Sequence, residues 1–307
     1  MAEPVALAAL MIDAAVGWPM WLYRRVGHPV GGFARAIDGC ERRWNDHGRS
    51  AMVRRLLGVV TVLALVAMAG GAGWMLTAAA GAFWPLLALF AWPGLAQRSL
   101  HDHVLPVARA LEAGDLPGAR QAVAMIVGRD VSALDEAGVA RAAIESLSES
   151  FCDGIAAPLF WLLVAGLPGL WIYKAINTAD SLIGHREDRW RDFGWAAART
   201  DDLLNLIPAR IGGLLICLAG MGGLRIMLRD ARRHTSPNAG WTESAMAGAL
   251  GLRLAGPVVY DGIAHDKDWI GDGRASVTAA DIRRALSLYR RACLLLWAIA
   301  GGIAWAL

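Results

Sequence analysis

Hydrophobic residues in this chain gather into long runs that polar stretches separate. A transmembrane helix needs about 20 mostly apolar residues, and several runs approach or exceed that length. The apolar segments are residues 5–22, 56–78, 79–96, 154–176, 203–228 and 292–307. The stretches between them are expected to form polar helical loops at residues 23–55, 97–153, 177–202 and 229–291. The pattern predicts an all-α fold, a polytopic helical membrane protein with about five or six apolar segments and helical cytoplasmic loops. We expect a single integral-membrane domain over residues 1–307.

The fourth apolar segment, residues 154–176, is unusual because helix-breaking residues interrupt it. The interrupting residues are Pro158, Gly166, Pro168 and Gly169. Irregular backbone at membrane depth is tolerated only where protein or water covers it. We therefore expect a re-entrant or half-broken helix, which would bring the loops 97–153 and 177–202 to the same side of the membrane.

The N-terminal third predicts the orientation of the chain. The segment 5–22 is short and contains Asp13 and Pro19, which favours an interfacial position. The loop 23–55 carries eight arginines, and the positive-inside rule assigns such loops to the cytoplasm. The first residues lack the basic region of a signal peptide and include Glu3, so we expect the first apolar run to be retained.

Composition supports membrane residence and argues against nucleic-acid partners. The chain is 56% hydrophobic and only 19% charged, whereas globular domains carry about 25% charged residues. The net charge of +3 is small, and no run of lysine or arginine indicates a nucleic-acid surface. The four cysteines show no CxxC pair and no histidine-adjacent metal spacing, so we expect buried thiols in a reducing compartment.

Local patterns predict where three helices of the polar loops begin. Asp115 is a candidate N-cap, and the tetrapeptide from Ser132 to Asp135 has the pattern of a capping box. The same pattern recurs from Thr278 to Asp281.

Charged side chains recur every four residues before the fourth apolar segment, at Arg141, Glu145, Glu149 and Asp153. This spacing puts neighbouring residues on one face of a helix. Arg141 and Glu145 could form a surface ion pair, and the whole series could be a solvated helix face. Alternatively, a magnesium ion or a cationic amine neutralises the stacked carboxylates, since hard cations take carboxylate oxygens.

A second polar group follows in the 177–202 loop. Asn177 could cap a helix with Asp180 as the partner in a capping box, and Lys174 could extend from the end of a span towards the interface. The same residues could instead belong to a site. The residues alone leave both interpretations open.

A third group lies at the start of the fifth apolar segment and includes Arg199. Asp201 and Asn205 share a helix face at i, i+4, and Asp202 is a neighbour of Asn205 at i, i+3. Acidic residues in a first helical turn also favour the helix dipole. Arg210 lies deeper in the apolar segment and needs an acidic or phosphate partner, so we favour a functional site.

Weaker signals come from a fourth motif and from His28. Ser236 and Asn238 precede an alanine-rich helix and could be caps. Gly240 and Gly248 would allow a close approach of backbone to a ligand or a helix. His28 stands before a proline and indicates a turn on local grounds. The chain has no GxxxxGK[ST] loop and no GxGxxG after a strand, so any nucleotide is bound without these phosphate loops.

These motifs resemble, in order and over nearly the whole chain, the membrane adenosylcobinamide-phosphate synthases of cobalamin biosynthesis (the CobD/CbiB family). The motifs that carry the resemblance are HPV at 28–30, VGRD at 127–130, RAAIES with FCDGIAAPLFW at 141–161, YKAINTADSLIG at 173–184, FG at 193–194, AARTDDLLNLIPAR at 197–210, SPNAGWTESAMAGALGLRLAGP at 236–257 and Tyr260. Two positions depart from the family pattern. Ser150 stands where the family has asparagine, and Trp18 stands where it has aspartate.

The resemblance implies an ATP-dependent amide ligase. Such an enzyme joins the propionate side chain of adenosylcobyric acid to (R)-1-aminopropan-2-ol or its O-phosphate, giving adenosylcobinamide or its phosphate. Activation of a carboxylate by ATP requires magnesium, which carboxylates hold, and cations around the phosphates. The amine must also lose a proton, so one carboxylate is expected to act as general base, without an indication of which.

The resemblance also implies roles for individual residues of this chain. The candidate catalytic residues are Glu145, Glu149, Asp153, Lys174, Asp180 and Asp202. The candidate substrate- and phosphate-binding residues are His28, Arg129, Arg141, Asn177, Arg199, Asn205, Arg210, Ser236 and Asn238. The candidate magnesium ligands are Asp153, Asp201 and Asp202.

The expected location is the cytoplasmic (inner) membrane, as a multi-pass protein with its site on the cytoplasmic side. Expected partners are the corrinoid and amine substrates, membrane lipid and other membrane-associated enzymes of cobamide assembly, with no nucleic acid. The main alternative is a corrinoid-binding or transport protein without catalysis, because transporters also carry polar residues on broken helices. A non-catalytic membrane sensor is a further alternative, in which the acidic motifs would be missing.

Overall fold

A computed structural model describes residues 4–128, 130–256, 258–260, 263–265 and 268–306, with backbone alone for 258–260 and 263–265. The N-terminal helices are α1 (Val5–Val16), α2 (Met20–Val26), α3 (Pro29–Trp44), α4 (Ala51–Ala80) and α5 (Trp84–Ala91). The middle helices are α6 (Gln97–Glu112), α7 (Leu116–Ala124), α8 (Glu136–Phe151), α9 (Ala157–Ile183) and α10 (Trp195–Leu204). The C-terminal helices are α11 (Leu206–Gly220), α12 (Leu224–Asp230), α13 (Ala239–Leu250) and α14 (Ala279–Ala306).

Short irregular helices and four very short strands complete the described chain. Single turns of 3₁₀ helix cover Trp92–Gly94 and Ala231–Arg233, and a π-helical turn, Cys152–Ala156, joins α8 to α9. The strands are β1 (Leu254–Ala255), β2 (Val258–Tyr260), β3 (Ile263–His265) and β4 (Trp269–Ile270). They form two antiparallel pairs, β1 with β4 and β2 with β3, so the fold is all-α apart from this small addition.

The described residues divide into two compact units, each built from separate parts of the chain. Unit 1 contains residues 4–96, 157–205 and 300–306. Unit 2 contains residues 97–156 and 206–299. The single-domain organisation expected from the sequence stays a prediction.

Three helical runs are long and apolar enough to cross a membrane, and there are up to five spans if each of two interrupted helix pairs forms one. The three runs are α4, Glu136–Ile183 and α14. The interrupted pairs are α1 with α2 and α10 with α11. The chain is thus an all-α polytopic membrane protein, as predicted.

Two predicted segments differ from the observed helices. The segment 79–96 is not a span, because α5 has only 8 residues and a span needs about 20. The predicted last segment, 292–307, is the end of a longer helix that begins at Ala279. The hydrophobic run marked only the apolar end of α14, because the first turns are polar, whereas the predicted capping box from Thr278 to Asp281 marks where the helix begins.

The break predicted in the fourth apolar segment is present in α9. Ala165 and Gly166 leave helical geometry, and Gly166 has φ 62°, a value that glycine adopts without strain. A Cβ built on Gly169 would lie 2.5 Å from the Trp161 carbonyl oxygen, eight residues earlier. Residues eight apart in a straight helix are about 12 Å apart along the axis, so the chain turns back sharply at this point.

Close helix packing in unit 1 follows from the break. The second half of α9 runs beside α4, where Gly73 faces the backbone of Pro168 with a built Cβ only 2.7 Å from Pro168 Cα. Beyond α9, the carboxylate of Asp192 accepts hydrogen bonds from Arg54 (2.8 Å) and Arg55 (2.9 Å). These contacts hold the segment after α9 against the start of α4.

Two of the three predicted helix starts are confirmed. Asp115 accepts a hydrogen bond from the Gly118 amide and caps α7. Asp281 accepts hydrogen bonds from both the amide and the hydroxyl of Thr278, as a capping box requires. The predicted box at Ser132 is wrong, because α8 begins at Glu136 and its cap is Asp135, which accepts from the Gly138 amide.

Gly73 provides a test of the close contact between α4 and α9. The change Gly73→Ala places a methyl group against the Pro168 backbone, so we expect it to lower the free energy of unfolding by about 1–3 kcal/mol. Gly71→Ala on the same helix is the matched control, since a built Cβ there meets nothing within 4 Å. We expect this control to be neutral or stabilising. Thermal unfolding of both variants in detergent measures the difference, and equal midpoints would contradict the packing.

Candidate functional site

A chain of hydrogen bonds in unit 1 surrounds the buried carboxylate of Asp201. The Asn205 amide donates to Asp201 Oδ2 at 2.9 Å, and the Asn177 amide donates to Asp201 Oδ1 at 3.3 Å. The buried hydroxyl of Tyr173 donates to Asn205 Oδ1 at 3.0 Å. A buried carboxylate is tolerated only when it is hydrogen-bonded or paired, and here each oxygen has an amide donor.

Helical spacing explains how these residues meet. Asp201 and Asn205 lie at i, i+4, as predicted, although Asn205 is the residue that ends α10. Tyr173 and Asn177 are also four apart, and they lie on the second half of α9, which packs against α10. Asn177 is therefore inside a helix, and its interpretation as a cap is wrong. The interpretation of Asp201 as an acidic residue in a first helical turn is also wrong, because α10 begins at Trp195.

Further charged residues of unit 1 lie around this network. Asp180 and Asp202 are close enough to Asp201 for their negative charges to repel it. Asp202 also forms an ion pair with Arg199 at 2.9 Å, so Arg199 already has an anionic partner. The result is an acidic cluster of three neighbouring carboxylates, in which Arg199 offsets the charge of one.

His28 caps α3 and is neutral at physiological pH. Its Nδ1 accepts a hydrogen bond from the Val30 amide at 3.3 Å, and its ring packs edge-on against Trp18. Burial, followed by the positive charge of Lys174, lowers the pKa of His28 to about 4. A neutral ring supplies no positive charge for a phosphate, and the binding role of His28 stays a prediction.

In unit 2, the four-residue charge series has partners that its spacing does not indicate. Glu145 Oε1 accepts a hydrogen bond from the backbone amide of Ala255 in β1 at 2.7 Å. The Arg141 guanidinium stacks on the ring of Trp269 at 4.9 Å. Both groups are held by the short strands β1 and β4, which the all-α prediction did not include.

The last two members of the series differ in their surroundings. Glu149 is exposed near the end of α8, whereas Asp153 lies in the π-helical turn and is half-buried. The π turn interrupts the four-residue periodicity, since it holds more residues per turn than an α-helix. The spacing argument for one continuous face therefore ends at Glu149.

The fourth motif surrounds Arg210 in unit 2. Arg210 Nη1 donates to the Leu206 carbonyl oxygen and to Asn238 Oδ1, the latter at 3.4 Å. Ser236 Oγ accepts from the amides of Asn238 and Ala239 at 3.3 and 3.2 Å. The cap interpretation is thus confirmed for Ser236, whereas Asn238 directs its side chain to the arginine.

The fourth motif, which runs from His234 to Glu243, also contains a histidine–carboxylate pair that the sequence did not indicate. His234 Nε2 lies 3.5 Å from the buried Glu243 Oε1. His234 Nδ1 accepts a hydrogen bond from the Ser236 amide at 3.0 Å, which places the proton of a neutral ring on Nε2, towards Glu243. The only sequence signal was that both residues belong to the same motif, nine positions apart.

The metal prediction remains untested, and Arg129 lies outside the described residues. Within the described part of the chain, no group of three or more His, Cys, Asp or Glu residues could hold a metal ion. Magnesium usually binds through one or two carboxylates together with substrate phosphates and water. Asp201 and Asp202 fit an ion that arrives with a nucleotide better than a preformed metal centre. The third candidate magnesium ligand, Asp153, belongs to unit 2, whereas Asp201 and Asp202 belong to unit 1.

Buried polar groups on broken, apolar helices place the protein among polytopic membrane proteins with a polar site, a class that includes both enzymes and transporters. A profile of the CobD/Cbib protein family matches residues 6–289. The chain belongs to this family.

Curated relatives of this family cover almost the whole chain. A cobalamin biosynthesis protein CobD from Rhodobacter capsulatus is 54% identical over 292 residues, which are 93% of this chain and 92% of the relative. Proteins of the same name from Sinorhizobium sp and Brucella anthropi are 46% identical over 314 residues (95% and 96% covered) and 48% identical over 297 residues (92% and 90% covered). No solved structure matches the chain significantly.

The hydrogen bond between Glu145 and Ala255 can be separated from the charge of Glu145. Glu145→Gln keeps an acceptor oxygen, so we expect nearly unchanged thermal stability. Glu145→Ala leaves the Ala255 amide without its acceptor and should destabilise the protein by about 1–3 kcal/mol. Unfolding midpoints of the two variants test this expectation, and an equal loss in both would mean that the charge, and not the hydrogen bond, stabilises β1.

Proposed function

We propose that this protein acts in cobalamin biosynthesis as an ATP-dependent amide ligase. It joins the propionate side chain of adenosylcobyric acid to (R)-1-aminopropan-2-ol or its O-phosphate. Membership of the CobD/Cbib family and the names of the relatives support the pathway. The ligase chemistry rests on the resemblance of the motifs and on the chemical properties of the clusters described above.

The observation that carries the ligase proposal is the acidic cluster around Asp201. A network that served stability alone would gain more from apolar side chains, because burying a carboxylate is costly even when it is hydrogen-bonded. Two amides hold the Asp201 carboxylate, and two further carboxylates add negative charge. Such a cluster suits a substrate ammonium group, which it binds and then deprotonates.

The proposed reaction has two balanced steps. An oxygen of the propionate carboxylate attacks the γ-phosphorus of ATP, which forms an acyl phosphate and releases ADP. The amine nitrogen then attacks the acyl carbon, phosphate leaves, and a carboxylate of the cluster takes the proton that the nitrogen loses. Magnesium, when bound with the nucleotide, would neutralise phosphate charge.

Turnover by the detergent-purified protein tests the proposal directly. The assay contains adenosylcobyric acid, magnesium-ATP and either aminopropanol or its phosphate, and it follows the amide product and ADP. Equal amounts of product and ADP, formed only when corrinoid and amine are both present, are the expected result. A folded protein that binds the corrinoid tightly without product would favour the binding or transport alternative.

Asp201→Asn tests the role of the buried carboxylate. The substitution keeps shape and one acceptor oxygen but removes the charge, so we expect kcat to fall by at least about 100-fold, a typical contribution of a positioned acid or base. Asp188→Asn, at an exposed position of the same unit, is the control and should keep normal turnover. Thermal unfolding must show that both variants are folded. Full activity of folded Asp201→Asn would exclude this carboxylate from the chemistry.

We also propose that the protein resides in the cytoplasmic membrane with its site facing the cytoplasm, where ATP is available. The arginine-rich loop 23–55 supports this orientation through the positive-inside rule. Association with other membrane-bound enzymes of cobamide assembly is part of the same proposal.

A further inference from the structure

Arg210 in unit 2 is a cation without a counter-ion among the residues that the structure describes. Its hydrogen bonds go from Nη1 to the Leu206 carbonyl oxygen and to Asn238 Oδ1. A guanidinium carries five N–H donors. Nε and Nη2 thus have no acceptor in the described part of the chain, although the residue is half-buried.

Trp241 fixes the orientation of this guanidinium. The Arg210 Cζ atom lies 4.5 Å from the centre of the Trp241 ring, a geometry that stabilises the cation and restrains its plane. The two residues meet because α11 and α13 approach closely, with a Cβ built on Gly213 only 2.9 Å from the Trp241 carbonyl oxygen. An arginine held in this way presents its free donors in a defined direction.

A second arginine without an ion pair lies near the first. A Cβ built on Gly240 would lie 2.1 Å from the Ala231 carbonyl oxygen, so the turn Ala231–Arg233 presses against the start of α13. The same turn carries Arg232, whose positive charge acts unfavourably on Arg210 in addition to the effect of burial. Arg233 of the same turn has an acidic partner, Asp230, at 3.4 Å, whereas Arg232 has none in the described chain.

We propose that Arg210 and Arg232 form a phosphate-binding subsite for the terminal phosphate of a small substrate. The repulsion between two uncompensated cations disappears when a dianion binds between them. Arginine is also suited to bidentate binding of phosphate oxygens. The identity of the ligand rests on the proposed function, which offers two sources of the same chemistry: the O-phosphate of aminopropanol and the nucleotide.

Binding measurements test the subsite without any need for turnover. The full-length protein, in detergent free of phospholipid, is titrated calorimetrically with aminopropanol, its O-phosphate and ATP. In Arg232→Gln, we expect affinity for one phosphate compound to fall by about 10- to 100-fold, as for the loss of a charged hydrogen bond. Affinity for unphosphorylated aminopropanol should change by less than about twofold, since that ligand has no phosphate.

Arg225→Gln is the matched control. Arg225 is exposed on α12 of the same unit, and it is not among the charges that act on Arg210, so its removal subtracts the same charge without changing the proposed subsite. We expect this variant to bind all three compounds like the wild type. Because Arg232 is exposed, its replacement should not disturb folding. An unfolding midpoint at or above that of the wild type in the absence of ligand would be consistent with relief of repulsion.

The pattern of affinities identifies the source of the phosphate. A loss confined to the O-phosphate assigns the subsite to the amine substrate, and a loss confined to ATP assigns it to the nucleotide. Unchanged affinity for both compounds in folded Arg232→Gln and Arg210→Gln would overturn the subsite.

This experiment also separates the subsite from the ligase. Phosphate binding that depends on the arginines, without formation of the amide product, would support the subsite and contradict the ligase proposal. Amide product formed with unchanged kcat/KM in both variants would support the ligase and exclude the subsite.

Discussion

The reversal of the chain at Ala165 and Gly166 is the constraint on which the rest of unit 1 depends. Without it, the 27 residues of α9 would form one straight rod about 40 Å long, and Tyr173 and Asn177 would not run back beside α4 and α10. The turn is possible because glycine adopts a positive φ without strain, and because Gly169 lets the two halves approach. Once the chain has turned, the polar residues of α9 face Asp201 and Asn205, and each buried group in that network finds a partner.

Buried polar groups are tolerated in so apolar a chain only when each of them has a hydrogen-bond or ionic partner. An unpaired amide or carboxylate in a low-dielectric environment costs several times more than a normal hydrogen bond returns. Asp201 meets this requirement through two amides, and Asp192 through two arginines. The acidic cluster differs from the Asp192 cluster in one respect: two further carboxylates, Asp180 and Asp202, lie close to Asp201, and the arginine of the cluster, Arg199, pairs with Asp202 and not with Asp201. The three neighbouring carboxylates make the cluster around Asp201, and not Asp192 with its two arginines, the candidate for chemistry.

Sequence patterns predicted the features that depend on local spacing and missed those that depend on distant contacts. The long apolar runs, the break near Gly166, the Thr278 cap and the pair formed by Asp201 with Asn205 all follow from residues close in sequence. The partner of Glu145 is an amide 110 residues away, and no periodicity points to it. The prediction that Ser132 caps α8 failed for a different reason. Ser132 and Asp135 are both residue types that favour the N-cap position, so the local sequence is compatible with a helix that starts after either of them. The predicted span at 79–96 failed because hydrophobicity measures the preference for an apolar environment and not helix length.

The electrostatics of Arg210 bear on the choice between the two proposed amine substrates. Removing a guanidinium from water is unfavourable unless partners replace the lost solvation. The Trp241 ring, the Leu206 carbonyl oxygen and the Asn238 amide replace only part of it, because none of them carries a negative charge. Free aminopropanol carries a hydroxyl and an ammonium group, neither of which compensates two neighbouring arginines. The O-phosphate brings up to two negative charges and three acceptor oxygens, which match the donors left open on Arg210 and Arg232. If the arginine subsite belongs to the amine, the ligase should therefore discriminate strongly in favour of the phosphorylated substrate, because a site built to bind an ionic group rejects the analogue that lacks it.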